Sequence, residues 1–193
     1  MKLAEVLVDL VNRLSAADAR FAVVGGLAAS ARGQARFTRD IDIVVAVSSD
    51  EEAESVVFQL KNQGYGVLAT VEQEATHRLA TARLQHTSGV VCDLIFATSG
   101  IEAEIVSSAE PLDLFDTGSI PTASAETLVA MKVLSATEQR PRDLGDIGAI
   151  LRANPGLDQN VVRKLLEAIT SRGFARGQDL VEKWDEVRTR LGS

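Results

Sequence analysis

The sequence predicts an α/β (α+β) fold, a mixed β-sheet flanked by helices and followed by a C-terminal helical segment. Apolar residues recur at helical spacing at the amino end. Runs of β-branched residues bounded by glycine and polar turns dominate residues 21 to 97, and after Ser124 the apolar pattern becomes helical throughout. The 193 residues suit one well-buried domain. The change of pattern divides the chain into an α/β core over 1–120 and a helical region over 121–193 packed on that core.

Leu3, Val6, Leu7, Leu10, Val11 and Leu14 predict an amphipathic helix over 2–17. Phe21 to Val24 is a short apolar run stopped by Gly25-Gly26, a strand ending in a turn, and Leu27 to Arg32 can start a helix behind it. Ile41 to Val47 reads as the next strand. Ser49 with Glu52 three residues on is a capping box opening a helix to Gln63, closed by Gly64. Strands are expected near 66–71, 77–85 and 89–96, making an antiparallel half of the sheet. A short helix over Ile101 to Ser107 and an irregular or extended link from Leu112 to Pro121 precede Ser124, an expected N-cap. Helices follow at 125–137, 142–153, 159–171 and 176–190, the last with a packed stripe of Leu180, Trp184, Val187 and Leu191.

Composition narrows the function classes. A net charge of −7 argues against charge-driven coating of nucleic acid, although Arg32, Arg36 and Arg39 cluster locally. No apolar run is long enough to cross a bilayer, and the amino end lacks a signal-peptide layout. Cys92 is alone, so no intrachain disulfide can form; the expected location is the cytoplasm, with no membrane partner. Cys92 should face the core as a structural thiol. His77 and His86 read as exposed strand-edge histidines, since neither has a ligand partner at metal spacing.

The chemistry concentrates between Gly25 and Asp42. Strand, glycines and helix in that order form a phosphate cradle, because Gly25 and Gly26 let backbone amides approach oxygens and the helix start adds a favourable dipole. Ser30 can add a hydroxyl or be packed one turn into the helix. In a strand, Asp40 and Asp42 project to one face while Ile41 and Ile43 point inward. Paired carboxylates repel unless a cation lies between them. Asp93, in the apolar strand Val90 to Phe96, is a third carboxylate that needs a partner, protonation or a metal. Three aspartates on adjacent strands suit Mg²⁺, which prefers oxygen ligands shared with phosphate and water, and suit in-line displacement at phosphorus.

Val23-Val24-Gly25-Gly26, Gly33, Arg36, Thr38, Arg39, Asp40-Ile41-Asp42-Ile43 and Asp93 resemble the nucleotidyltransferase superfamily, the fold of the DNA polymerase β palm. They are closest to the bacterial group containing AbiEii-type toxin nucleotidyltransferases. The resemblance implies that Asp40, Asp42 and Asp93 are the catalytic, Mg²⁺-binding carboxylates, and that Gly25, Gly26, Ser30 and Arg39 contact the nucleotide. Ala130-Met131-Lys132 and Arg142-Asp143-Leu144-Gly145-Asp146-Ile147 match a helix lysine followed by an Arg-Asp box; by resemblance Lys132 touches the triphosphate and Asp143 or Asp146 completes the site. Taken from the residues alone, Lys132 can equally snorkel at a helix edge and Asp143 can be a helix-start cap. Gly26 and Arg32 depart from the Ser and His that many relatives carry there, and nothing beyond Leu151 resembles a known motif.

The expected activity is therefore transfer of a nucleoside monophosphate from an NTP to an acceptor hydroxyl, with Asp93 as candidate base. The acceptor is RNA, in particular a tRNA end, or a small molecule or a protein. A toxin role would add a cognate antitoxin as partner. An RNA acceptor needs a basic rim, for which Arg32, Arg36, Arg39, Arg78, Arg83 and Arg142 are the candidates. The alternative is a catalytically silent module of the same fold that binds a nucleotide or a partner.

Overall fold

The computed structural model of the chain describes residues 2–34, 37–74, 76–137 and 140–192. Strands β1 (Arg20–Val23), β2 (Asp40–Ala46), β3 (Tyr65–Glu72), β4 (Leu79–His86), β5 (Val91–Ile95), β6 (Glu110–Asp113) and β7 (Ser119–Thr122) form one sheet in the order β3-β4-β5-β2-β1-β7-β6. Helices α1 (Leu3–Ala16), α2 (Gly25–Arg32), α3 (Asp50–Lys61) and α4 (Glu102–Ser107) punctuate the strands. Helices α5 (Ala125–Ser135), α6 (Pro141–Ala153), α7 (Gln159–Ser171) and α8 (Leu180–Leu191) follow them. The sheet is mixed: β2 pairs in parallel with β5 and β1 with β7, and the other ladders are antiparallel.

Each face of the sheet has its own core. Val6, Leu7, Leu10 and Leu14 of α1 pack with Val56 and Leu60 of α3 against Ile41, Ile43, Leu84 and Leu94. On the other face, Ala22, Val24 and Val44 join Ile101, Leu128, Ile150, Leu166 and Trp184, so helices α5 to α8 share a cluster with the strands. Amphipathic helices of this length gain stability chiefly from that burial. Among the described residues, no helix is long and apolar enough to cross a membrane.

Local signals behave as the residue chemistry dictates. Ser49 Oγ accepts the Glu52 N–H, while the Glu52 carboxylate accepts from Ser48 N and Ser48 Oγ, one residue further out than in a strict capping box. Ser124 Oγ accepts the Thr127 N–H at the start of α5. Two expectations are corrected. The link from Leu112 to Pro121 contains most of a hairpin, β6 paired with β7 in the register Glu110↔Thr122 to Asp113↔Ser119. Its four-residue strands each carry a proline, which local propensity counts against; Pro111 lies on the edge strand β6, and Pro121 lies on β7 one residue before its only paired position with β1, Val23↔Thr122. Helix α8 begins at Leu180 and not at 176, because Arg176 and Gly177 adopt left-handed φ of 56° and 72°, and Asp179 caps Val181 N and Glu182 N.

Candidate active site

Alternation along β2 buries Ile41 and Ile43 fully and leaves Asp40 and Asp42 on the opposite, partly open face. The parallel ladder then sets Asp42 directly across from Asp93, in the register Asp40↔Val91, Asp42↔Asp93, Val44↔Ile95. Neighbouring strands lie about 4.8 Å apart, so register alone brings together carboxylates 51 positions apart in the sequence. Burial holds the Asp42 carboxyl above the ordinary carboxylate range; the charges of Asp93 and Asp40 push the same way, and the Gly26 N–H opposes them.

The glycine turn abuts this strand. Val24 N donates to Asp42 O at 2.9 Å and Gly26 N to Asp42 Oδ2 at 3.4 Å. Gly25 has φ of 62°, and a Cβ there would overlap the Asp42 carboxylate, so both backbone conformation and space require glycine. Helix α2 starts at Gly25 itself, which directs its first unpaired N–H groups at the aspartate face.

Two cavities meet at Asp42. The first, of about 1050 Å³, runs from Gly25, Gly26 and Asp93 to Lys132, Arg140 and Asp143. The second, of about 1030 Å³, is lined by Phe37, Arg39, Asp40, Arg142, Asp146 and Arg152. Lys132 lies in the first with its ammonium 2.7 Å from Asp143 Oδ1 and 2.7 Å from Asp146 Oδ2. Asp143 also accepts from Ser135 Oγ at 2.9 Å and is buried. It therefore serves a charge cluster and does not act as a helix cap; Lys132 is embedded and does not snorkel.

Other expected residues lie elsewhere. Ser30 Oγ donates to Gly26 O at 2.8 Å within α2, and the residue lines a third cavity with Leu3, Leu27, Phe37, Arg39 and Phe115. Arg32 leaves the expected basic rim. Its guanidinium donates to Ala123 O at 2.8 Å and to Glu110 Oε2 at 2.6 Å, tying α2 to the β6–β7 hairpin. Arg78 is drawn to Asp50, and Arg83 grips Asp93 with Nε and Nη2 at 2.9 and 2.7 Å. Arg36 lies outside the described residues. Arg39 and Arg142 do face the cleft, and Arg140, Arg152 and Arg176, which no sequence motif marked, join them. Phe37 is 80% exposed, with the Arg39 guanidinium 5.4 Å from its ring centre. His86 is buried, not exposed: its ring packs 5.1 Å from that of Tyr65. Cys92 is fully buried, which together with Asp93 pushes its thiol up to about 12.

The donor set Asp40, Asp42 and Asp93 is all carboxylate oxygen, which a hard cation prefers, and a cation would relieve the unfavourable charge on Asp42. Among the described residues, no group of three or more His, Cys, Asp and Glu side chains could hold a metal ion. Asp40, Asp42 and Asp93 would supply only part of an Mg²⁺ shell, which phosphate and water oxygens would have to complete.

A family model described as "Nucleotidyl transferase AbiEii toxin, Type IV TA system" matches residues 9–188. No curated protein matches the chain. An antigenic nucleotidyltransferase-like protein from Paracoccidioides brasiliensis is similar in structure, with a TM-score of 0.54 at 18% identity, covering 98% of this chain and 92% of that one. ANT(2")-Ia in complex with adenylyl-2"-tobramycin gives a TM-score of 0.57 at 18% identity, covering 88% of this chain and 97% of that one. At such identities the likeness establishes the nucleotidyltransferase fold.

Proposed function

The chain belongs to the AbiEii nucleotidyl transferase family, whose members are enzymes of NTP-dependent nucleotidyl transfer, and from that premise we propose that it moves a nucleoside monophosphate onto an RNA hydroxyl with Mg²⁺ held by Asp40, Asp42 and Asp93. The observation that carries this reading is the register of Asp42 opposite Asp93, with Asp40 on the same face. When bound, Mg²⁺ supplies positive charge that offsets the triphosphate and the developing pyrophosphate.

The chain's own residues do the rest. The N–H groups of Gly25 and Gly26 at the start of α2 receive phosphate oxygens. Lys132, preorganised by Asp143 and Asp146, neutralises charge as it builds on the leaving group. Asp93 takes the acceptor hydroxyl proton. The acceptor oxygen bonds to the α-phosphorus as the bond from that phosphorus to the pyrophosphate oxygen breaks, in line. For the acceptor, Arg39, Arg142 and Arg152 with exposed Phe37 supply cationic and stacking groups on the Asp40 side, as a single-stranded RNA end requires. We place the tRNA end first among RNAs and read the chain as the toxin of a type IV pair.

Melting the wild type and the Asp40→Ala, Asp42→Ala double variant with Mg²⁺ and each NTP tests the site. Ligand at about 100 times its Kd stabilises by about 2.7 kcal/mol, roughly 5–10 °C for a chain of this size. The expected shift appears in the wild type and vanishes in the double variant; no shift with any nucleotide returns the chain to the silent-module reading. Labelled NTP is then offered to total RNA, small-molecule and protein pools. Label on RNA supports the acceptor assignment, and label confined to another pool overturns it. Growth arrest on expression, lost with Asp42→Ala and suppressed by a neighbouring gene product, is the expected sign of a toxin.

A further inference from the structure

The third carboxylate is already held. Arg83 and Asp93 are direct partners in the β4–β5 ladder, so their pairing is written into the register. The guanidinium meets the carboxylate as two forks, Nε to Oδ1 at 2.9 Å and Nη2 to Oδ2 at 2.7 Å, the strongest geometry open to this pair. Both oxygens of Asp93 are thereby engaged. Among the described residues, Arg83 is the only cation paired with any of Asp40, Asp42 and Asp93, because Lys132 is committed to Asp143 and Asp146. Asp93 is largely covered, whereas about half of the Arg83 side chain is exposed, and the pair lies at the wall of a cavity of about 800 Å³ that extends past Asp93 to Val71, Glu72 and Arg176. The arginine thus has room to turn away while the aspartate stays in place.

We propose that Arg83 is a positioning residue that stands where a second cation would otherwise lie: it reserves Asp93, so that the nucleotide-free chain takes one divalent ion, on Asp40 and Asp42. Asp93 becomes free to act as ligand and base only when Arg83 swings along that cavity towards Val71 and Glu72. The physical reason is charge. Three carboxylates crowd one face of the sheet, and a guanidinium placed in register offsets one of them without needing an ion. A lysine at 83 would keep the charge and lose the fork.

This inference rests on the nucleotidyl-transfer reading, and the two are separated by counting bound Mn²⁺, followed by its electron paramagnetic resonance signal, on the nucleotide-free chain. The expected result is one Mn²⁺ per wild-type chain, two for Arg83→Gln, and one for Arg83→Lys. Wild type binding two, or Arg83→Gln binding one with affinity within twofold of wild type, overturns the role of Arg83. In that case, loss of binding in the Asp40→Ala, Asp42→Ala variant leaves the transfer reading standing. Mn²⁺ binding undiminished in that double variant overturns both, whereas binding absent from every nucleotide-free variant overturns the role of Arg83 and leaves the transfer reading to the melts with Mg²⁺ and NTP. The same samples are melted: without Mn²⁺, Arg83→Gln leaves the largely covered Asp93 unpaired and is expected to melt below wild type and to recover on binding the second ion, whereas Arg83→Lys stays near wild type.

Discussion

At the scale of single residues, Asp42 concentrates the conflict between stability and chemistry. Its carboxyl is held above the ordinary range by burial and by Asp93 and Asp40, so in the metal-free chain ionising it costs more folded than unfolded. A raised carboxylate pKa favours folding below the unfolded value and loses that contribution as pH rises through the folded one. Asp42→Asn is therefore expected to melt higher than wild type without metal near neutral pH, with the difference closing towards acid, while its Mg²⁺ and NTP shift disappears. Calorimetric melts across pH test this; a variant less stable than wild type at neutral pH sinks it. Gly25 is the complementary case. Gly25→Ala must adopt a left-handed conformation that costs about 1–2 kcal/mol and also displace the Asp42 carboxylate, so lower stability and a lost nucleotide shift are expected together. Asp40, Asp42 and Gly25 were legible because strand alternation and a glycine turn are local physics. Arg32 was not: its partners Ala123 and Glu110 lie 91 and 78 positions away.

Among elements, α1 and β3 show how a short polar tie fixes packing. The Tyr65 hydroxyl, on a fully buried residue, donates to Asp9 Oδ2 at 2.8 Å, and Arg13 Nε donates to the same oxygen at 2.7 Å. Asp9→Ala leaves that hydroxyl unsatisfied, a loss of about 1–3 kcal/mol expected in a urea melt. The Arg13 hydrogen bond, followed by that of Tyr65, outweighs the opposing burial and holds the Asp9 carboxyl below its ordinary range. Its contribution is present above the unfolded pKa and lost as pH falls through the folded one, so the gap between wild type and variant should narrow in acid. Periodicity announced α1, since its apolar stripe is strong. The β6–β7 hairpin stayed hidden, because Pro111 and Pro121 argue against strands and only the neighbouring edge of β1, where Ala123 N donates to Val23 O, gives the segment a ladder to join.

Over the whole molecule, the helices after Ser124 close one face of the sheet; α5 and α6 carry Lys132 and Asp143 to the aspartates, and the turn between α7 and α8 carries Arg176. Trp184 anchors that closure at zero exposure, packed in the cluster that includes Val24, Leu128 and Ile150. Its indole N–H is buried without a partner among the described residues. Trp184→Ala should cost about 3–5 kcal/mol and weaken the nucleotide shift, because Lys132 rides on α5 in the same cluster. Trp184→Phe removes the unsatisfied N–H and keeps most of the volume, so a cost below about 1.5 kcal/mol is expected. Guanidinium melts of both variants check the order, and equal losses would contradict this account of the core.

The sequence by itself determined the alternation that presents Asp40 and Asp42 together, the glycine turn beside them, the helical character of the last third and the burial of Cys92. These follow from periods of two and 3.6 residues and from turn chemistry, which act over a few positions. Only the tertiary structure decided that Asp93 faces Asp42 with Arg83 already on it, that Lys132 pairs with both Asp143 and Asp146, and that Arg39, Arg142 and Arg152 line the cleft while Arg32 and Arg78 are spent elsewhere. A charge is assigned its partner by the register of strands and the docking of helices. Both depend on contacts between distant parts of the chain, which no local pattern records.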